Sequence, residues 1–157
     1  MMNNEFHTVR GYQLLDQNKV LLTSAMEDYL EMIYRNSLKE GYLRMNKLAE
    51  LLNVRVSSAT KMVQRLGELG LINYKKYGVV ELSQGGREIG EYLLVRHKIV
   101  ENFLKLLNCE KDILQQTELI EHNINPLTVK KISILNQFFE LNSDIKKQYL
   151  EYLHKMD

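Results

Sequence analysis

The chain has 157 residues, of which 45% are hydrophobic and 26% are charged. These values are typical of one folded domain, or of a small binding domain joined to an oligomerisation domain. A single cysteine, Cys109, excludes an internal disulfide framework and a multi-cysteine zinc site. No apolar run approaches the roughly 18–20 residues of a membrane span, and the N-terminus lacks the apolar core of a signal peptide. We therefore expect a cytoplasmic protein with no membrane partner.

The net charge of +1 conceals an uneven distribution of charge along the sequence. Residues 1–43 and residues 88–157 each carry a net charge of −2, whereas residues 44–87 carry +5. A basic segment between acidic flanks predicts a local surface for a polyanion such as nucleic acid.

The N-terminal part of the sequence predicts an extension followed by a helix. Residues 1–22 show no sustained hydrophobic period and are interpreted as an N-terminal extension, either a tail or a short leading helix. Thr23 or Ser24 is predicted to cap the next helix, in which apolar residues recur at helical spacing. Gly41 is predicted to end it.

The basic segment predicts a helix-turn-helix followed by a hairpin. Asn46 is expected to cap a short helix, and Ser57 or Ser58 a second one. About four residues separate the two helices, which is helix-turn-helix spacing. The stretch LINYKKYGVVELS (71–83) favours two strands with Gly78 at the turn, the "wing" that follows a recognition helix.

The remainder predicts helices only, so the fold is expected to be mainly α. Helical segments are predicted at about 84–107, 110–123, 126–141 and from 143 to the C-terminus, the third opened by Asn125 and Pro126. The expected organisation is an extension (1–22), a winged helix-turn-helix domain (23–83) and a helical domain (84–157).

The second helix of a helix-turn-helix enters the major groove with its N-terminal residues facing the base edges. Serine and threonine can bond to bases or phosphates, alanine can meet a thymine methyl, glutamine suits adenine, and arginine suits guanine or phosphate. The hairpin tip would reach the DNA backbone or the minor groove. The alternative left open is that the serines only cap the helix and the cations form a solvated face. The candidate DNA-binding residues are Ser57, Ser58, Ala59, Thr60, Lys61, Gln64, Arg65, Lys75, Lys76 and Tyr77.

Two groups of carboxylate and imidazole side chains recur at spacings that place each group on one helical face, within roughly 100° of arc. Such a set is typical of a divalent metal site, and its oxygen-rich chemistry favours Mn²⁺ or Fe²⁺ over copper or structural zinc. Spacing alone leaves open that these are solvated faces. The candidate ligands are Asp28 and Glu31 in the first group, Glu118, Glu121 and His122 in the second, and His97 on the helix between them. If the four acids converge, two divalent ions would balance their charge of −4.

The stretches that carry these residues resemble a known family. They are TSAMEDYLEMIY (23–34), SSATKMVQRLGELGLINYKKYGVVELSQGGREIG (57–90), VRHKIVENFL (95–104) and ELIEHNI (118–124). They resemble the diphtheria-toxin-repressor family of metal-dependent transcriptional regulators, most of all its short manganese-transport-regulator branch, over about residues 23–141. The resemblance implies a winged helix-turn-helix followed by an α-helical dimerisation domain, and a homodimer on palindromic operator DNA.

The resemblance also implies the ligand set, because all six candidate positions hold the residue type of the manganese branch. The iron-sensing branch carries methionine at the position of Asp28 and cysteine at that of Glu118, where this chain has oxygen donors. Two features depart from the branch. The extension is longer than expected, and Val56 stands where proline is expected, which puts the operator sequence in doubt.

We therefore expect a metal-dependent repressor that binds operator DNA as a homodimer when Mn²⁺, two ions per subunit, ties the DNA-reading domain to the dimerisation domain, and that controls metal uptake. Alternatives are an Fe²⁺-responsive repressor and a metal-independent winged-helix regulator. An enzyme is not expected, nor a small-molecule substrate, because paired Glu-x-x-His motifs and phosphate-binding loops are missing from the sequence. The expected dimer seam includes Leu93, Leu94, Phe103, Leu106, Ile134 and Phe138.

Overall fold

The computed structural model describes residues 11–17 and 21–156 and is mainly α-helical. Its contacts divide the chain into two compact units, and the division falls between Val95 and Arg96, within one long helix. The first unit is a small mixed domain and the second is helical. No described helix is both long enough and apolar enough to cross a membrane.

The first unit contains four helices, a small sheet and the first half of the long helix among its described residues. In chain order the elements are α1 (11–17), α2 (Ser24–Ser37), β1 (Leu43–Arg44), α3 (Met45–Leu51), α4 (Val56–Glu68), β2 (Ile72–Lys75), a 3-10 turn (Lys76–Gly78), β3 (Val79–Leu82) and α5 (Gln84–Leu106). The strands are antiparallel in the order β1-β3-β2, with Leu43 opposite Val80 and Ile72 opposite Leu82. The predicted helix-turn-helix and wing are therefore present, and β1 adds a strand that the sequence did not predict.

The N-cap residue predicted for α2 is confirmed, whereas those predicted for α3 and α4 are wrong. Thr23 caps α2, where its Oγ1 accepts a hydrogen bond of 3.3 Å from the amide of Met26. The prediction of Asn46 as a cap is wrong, because β1 runs directly into α3 and Arg44 holds the N-cap position. The prediction of Ser57 or Ser58 as a cap is wrong as well. Helix α4 begins at Val56, with Arg55 at the N-cap, so both serines lie in its first turn.

The core of the first unit forms where α2, α4 and the sheet meet. Leu30 and Ile33 of α2, Val63 and Leu66 of α4, and Val80 of β3 are completely buried. Burying one such side chain contributes about 1.5–3 kcal/mol to folding. This core fixes the orientation of α4 on the sheet.

Helix α5 packs so closely on the first unit that only glycine fits at its contact points. A Cβ atom on Gly86 would lie 2.0 Å from the carbonyl oxygen of Leu71, and one on Gly90 would lie 2.6 Å from Cβ of Tyr34. Both distances are far below contact distance, so any side chain at these positions would push α5 away from the core.

The described part of the predicted extension, α1, also packs on α5. A Cβ atom on Gly11 would lie 2.1 Å from the carbonyl oxygen of Glu88. The rings of Tyr12 and Tyr92 lie 5.9 Å apart between centroids, and Leu15 is buried. The described turns of the extension are therefore a leading helix, whereas residues 1–10 and 18–20 lie outside the described residues.

The second unit is built from helices joined by short turns. It holds the rest of α5, α6 (Ile113–Glu121), α7 (Pro126–Leu141) and α8 (Ser143–Met156). The predicted cap of α7 is confirmed, since Oδ1 of Asn125 accepts a hydrogen bond of 2.9 Å from the amide of Thr128. Helix α6 begins later than the predicted residue 110, because Asp112 adopts a left-handed φ of 54°. Val100, Leu104 and Val129 are buried in this unit.

Candidate metal centre and nucleic-acid interface

The first unit presents a polar and basic face on α4. Five of the predicted DNA-binding residues of this helix are exposed: Ser57, Ser58, Lys61, Gln64 and Arg65. They lie on the side of α4 opposite the buried Val63 and Leu66. A helix that exposes hydroxyl, amide and cationic groups on one side offers the donors that bases and phosphates accept.

Two residues of α4 that the sequence predicts to contact DNA, Ala59 and Thr60, are not exposed. Ala59 is completely buried, so its assignment to a thymine methyl is wrong. The prediction failed because Ala59 lies one turn before Val63, on the buried face of α4. Thr60 is half-buried, and its hydroxyl donates a hydrogen bond of 2.8 Å to the carbonyl of Val56.

The start of α4 holds a candidate residue that the sequence reasoning missed. Arg55 is exposed and occupies the N-cap position, and no side chain of a described residue caps the helix there. Helix N-termini attract anions, because their free backbone N–H groups point outward at the positive end of the helix dipole. The spacing of the two helices had marked Arg55 as a turn residue, and its basic side chain was the signal that could have identified it.

The wing extends the basic surface beyond α4. Tyr77 is 92% exposed and has a left-handed φ of 66°, a conformation that is uncommon for an aromatic residue. Lys76 is exposed beside it, and Lys75 forms an ion pair of 2.7 Å with Glu81 on the neighbouring strand. The three predicted wing residues therefore lie on or next to an exposed tip, where they are accessible to DNA.

In the second unit, two of the predicted metal ligands are in direct contact. Nδ1 of His97 lies 3.3 Å from Oε1 and 3.2 Å from Oε2 of Glu121. His97 is 7% exposed and Glu121 is 1% exposed. The sequence separates these residues by 24 positions, and the packing of α6 on α5 brings them together.

The other two candidates of the second unit have different surroundings. His122 is half-buried at the end of α6, and its Nδ1 lies 3.4 Å from Nη2 of Arg96, whose side chain is buried. Glu118 is exposed, one turn before Glu121 on α6. The described helix α6 thus carries one buried acid, one exposed acid and one imidazole in contact with a cation.

The candidates of the first unit lie together on α2. Asp28 and Glu31 are three residues apart, and both are half-buried. Arg35 forms an ion pair with Glu31 one turn further along. The helix therefore holds the two acids on one face, as their spacing predicts.

The chemistry of the His97–Glu121 pair suits a divalent cation. Oε2 of Glu121 is buried, and no described residue donates to it a hydrogen bond of acceptable geometry. A buried carboxylate oxygen without a hydrogen bond carries a desolvation penalty. A cation bound to this oxygen would offset that penalty. Imidazole nitrogen together with carboxylate oxygen, without thiolate, is a donor set for manganese or iron.

Family comparisons cover both units. The description "Iron dependent repressor, N-terminal DNA binding domain" matches residues 21–80, and "Iron dependent repressor, metal binding and dimerisation domain" matches residues 83–149. These two matches include most of the chain.

Individual relatives agree with the family match. The HTH-type transcriptional regulator MntR of Bacillus subtilis (strain 168) is 37% identical over 136 residues, which are 86% of this chain and 95% of that protein. MntR of Geobacillus kaustophilus (strain HTA426) is 40% identical over 119 residues, 75% of this chain and 84% of that protein. Both relatives are named as transcriptional regulators.

Solved structures show the same fold. The manganese regulator SloR has a TM-score of 0.64 and 26% identity, covering 72% of this chain and 54% of that one. IdeR of T. acidophilum has a TM-score of 0.58 and 23% identity, covering 68% of this chain and 51% of that one, and shows the fold alone. The chain spans about half the length of these two solved chains. The two family matches and the relatives named MntR show that the chain belongs to the iron-dependent repressor family, whose members are transcriptional regulators and not enzymes.

Proposed function

We propose that this protein is a metal-dependent transcriptional repressor that binds operator DNA as a homodimer when Mn²⁺ is bound, and that it controls the uptake of metal ions. The His97–Glu121 contact carries the proposal, because a buried carboxylate and imidazole lie together within a domain whose family is described as metal-binding. The relatives named MntR and the manganese regulator SloR favour manganese as the effector. A protein that acts on operator DNA in this way would work in the cytoplasm.

The proposed ligand set is the one that the sequence resemblance implies, with two ions per subunit. Glu121 and His97 would contribute the buried donors. Asp28 and Glu31 belong to the proposal because the resemblance implies them and because their spacing places them on one face of α2. The oxygen-rich composition favours Mn²⁺ over softer ions, with Fe²⁺ as the alternative. The proposed ligands are Asp28, Glu31, His97, Glu118, Glu121 and His122.

The bound metal would act as an effector through its higher affinity for the DNA-binding arrangement of the protein. By the reciprocity of linked binding, operator DNA would raise the affinity of the protein for metal by the same factor. Couplings of this kind typically change an affinity by about 5-fold to 150-fold.

The DNA-binding part of the proposal rests on the first unit. The exposed side chains of α4 would enter the major groove, and the wing would reach the backbone or the minor groove. Arg55 joins the proposed contacts, because it is an exposed basic residue at the N-cap, the anion-attracting end of α4. The basic charge of residues 44–87 would attract DNA of any sequence, and the residues on α4 would select the operator.

The homodimer is proposed from an exposed apolar stripe on α7. Positions 127, 134, 138 and 141 recur at helical spacing along one side of the helix. Leu127 is 66% exposed, Ile134 50%, Phe138 46% and Leu141 84% in the single chain. A continuous stripe of this kind is typical of a surface that another protein covers. Ile134 and Phe138 belong to the predicted seam, whereas Leu93 and Leu106 of that prediction are buried within the single chain and are unsuited to it.

The test is DNA binding measured with and without metal. An operator is selected from random DNA by the Mn²⁺-loaded protein, and its affinity is followed by fluorescence anisotropy as MnCl₂ is added. We expect affinity to rise by about 100-fold for the wild type and to stay flat for Glu121→Gln. The control Glu140→Gln changes an exposed acid on α7 and should respond like the wild type.

Three outcomes decide between the alternatives. If a chelator leaves the operator affinity of the wild type unchanged, the protein is a metal-independent winged-helix regulator. If Glu121→Gln keeps the full response to metal, the site assignment is wrong. A parallel anaerobic titration in which Fe²⁺ acts at lower concentration than Mn²⁺ would identify an iron-responsive repressor.

A further inference from the structure

Two histidines of the second unit, His97 and His122, lie beside groups of opposite hydrogen-bonding character. Nδ1 of His97 faces the carboxylate of Glu121 at 3.3 Å, and an ionised carboxylate can only accept hydrogen bonds. Nδ1 of His122 faces Nη2 of Arg96 at 3.4 Å, and a guanidinium can only donate them. A hydrogen bond to the ionised carboxylate of Glu121 requires a proton on Nδ1 of His97, whereas a hydrogen bond from Arg96 requires a lone pair on Nδ1 of His122.

This difference decides which imidazole is ready to bind a metal. A neutral imidazole has one N–H group and one lone pair, and a metal needs the lone pair. With its proton on Nδ1, His97 carries its lone pair on Nε2. His122 offers its only lone pair to Arg96 and carries its proton on Nε2. Neither nitrogen of His122 can then bind a metal until the contact with Arg96 breaks.

Arg96 is well placed to maintain this contact. Its side chain is 5% exposed and lies next to His97 in the sequence of α5. A guanidinium keeps its charge at every physiological pH, so a change of pH does not remove the donor. A hydrogen bond from a charged donor is stronger than one between neutral groups, and a metal that binds His122 would have to displace it.

We propose that Arg96 is a built-in competitor of the metal for the lone pair of His122, so that the Arg96–His122 contact belongs to the metal-free protein and raises the metal concentration needed for binding. The proposal rests on the proposed function, since it requires a metal that binds through His122. It adds a residue that tunes the sensitivity of the sensor without being a ligand. A residue that merely positioned His122 would have the opposite effect, because its loss would weaken metal binding.

The first test compares two substitutions that each remove one positive charge from α5. Arg96→Met keeps an apolar stem and removes the donor, and Lys98→Met removes an exposed cation two residues away. MnCl₂ binding to the full chain is measured by isothermal titration calorimetry in the absence of DNA. We expect Arg96→Met to bind Mn²⁺ about tenfold more tightly than the wild type, equivalent to about 1.4 kcal/mol. Lys98→Met should stay within about twofold, because an exposed charge is screened by solvent.

The outcomes separate this proposal from the proposed function. If the wild type binds no Mn²⁺, the proposed function fails. If the wild type binds Mn²⁺ and Arg96→Met binds it equally or more weakly, the competitor proposal fails and the proposed function stands. If Lys98→Met raises the affinity for Mn²⁺ as much as Arg96→Met does, the proposal is also overturned, since the loss of one positive charge would then explain the effect.

A second measurement needs no variant at position 96. Long-range ¹H–¹⁵N spectra of the metal-free full chain report which ring nitrogen of each histidine carries the proton, with His122→Gln used to assign the signal. We expect the proton of His122 on Nε2 and that of His97 on Nδ1. A proton on Nδ1 of His122 would overturn the proposal, because Arg96 could not then donate to that atom.

Discussion

The two units of this chain treat their apolar residues differently. In the first unit, the apolar faces of α2, α4 and the sheet meet in a shared core, and Leu30, Ile33 and Leu66 are completely buried. In the second unit, Val129 is the buried residue of α7, no described residue of α8 is buried, and the α7 stripe is exposed. The first unit thus builds a hydrophobic core within one chain, although single apolar side chains such as Leu38 are exposed, whereas the second unit leaves a continuous apolar stripe that a partner would cover. This difference agrees with the family descriptions, which name the first region a DNA binding domain and the second a metal binding and dimerisation domain.

The largest effect should come from removing a core side chain of the first unit. Leu30→Ala deletes a completely buried side chain, and the cavity should lower the free energy of unfolding by about 2–5 kcal/mol. Urea denaturation followed by circular dichroism measures this loss. The comparison substitution Leu135→Ala lies at a position that is 41% exposed on α7 and should cost much less. Equal losses at both positions would contradict the difference between the units.

The next effect should appear in the dimer. Phe138→Glu places a charge in the centre of the α7 stripe, and loss of a buried aromatic anchor costs at least about 2 kcal/mol in a typical interface. We expect analytical ultracentrifugation to show a dimer that dissociates at concentrations where the wild type stays dimeric. Leu38→Glu introduces the same charge at a position in the first unit that is 61% exposed, and it should leave the dimer intact. A Phe138→Glu variant that stays as dimeric as the wild type would remove α7 from the seam.

A smaller effect should come from the basic surface of the first unit. Arg55→Ala removes a cation at the start of α4, and it should weaken binding to all DNA sequences to a similar extent. The slope of log affinity against log salt concentration should become shallower by about one unit. Lys130→Ala on α7 removes an exposed cation from the other unit and should leave the slope unchanged. If both substitutions change the slope equally, DNA is not confined to the surface proposed here.

The sequence predicted those features that depend on neighbouring residues. The caps at Thr23 and Asn125 each use an amide three residues along the chain, so a local pattern suffices to identify them. The helix-turn-helix, the wing and the long helix α5 follow from hydrophobic period and turn residues in the same way.

Features set by distant contacts were missed. The pairing of β1 with β3 joins residues more than 30 positions apart, and it determines where α3 begins. The burial of Ala59, by contrast, follows from a local spacing that the prediction overlooked, since Ala59 lies one turn before the buried Val63. In the second unit, spacing identified His97, Glu121 and His122 as candidates, but it could not place Arg96 beside His122, because that contact depends on the packing of α6 against α5.

The central claim is that the His97–Glu121 pair binds the metal that controls DNA binding. The most direct test is anomalous X-ray scattering from crystals of the full chain soaked in MnCl₂. We expect a manganese peak coordinated by the imidazole of His97 and the carboxylate of Glu121. A protein that binds manganese in the crystal only at other side chains, with this pair left without metal, would contradict it.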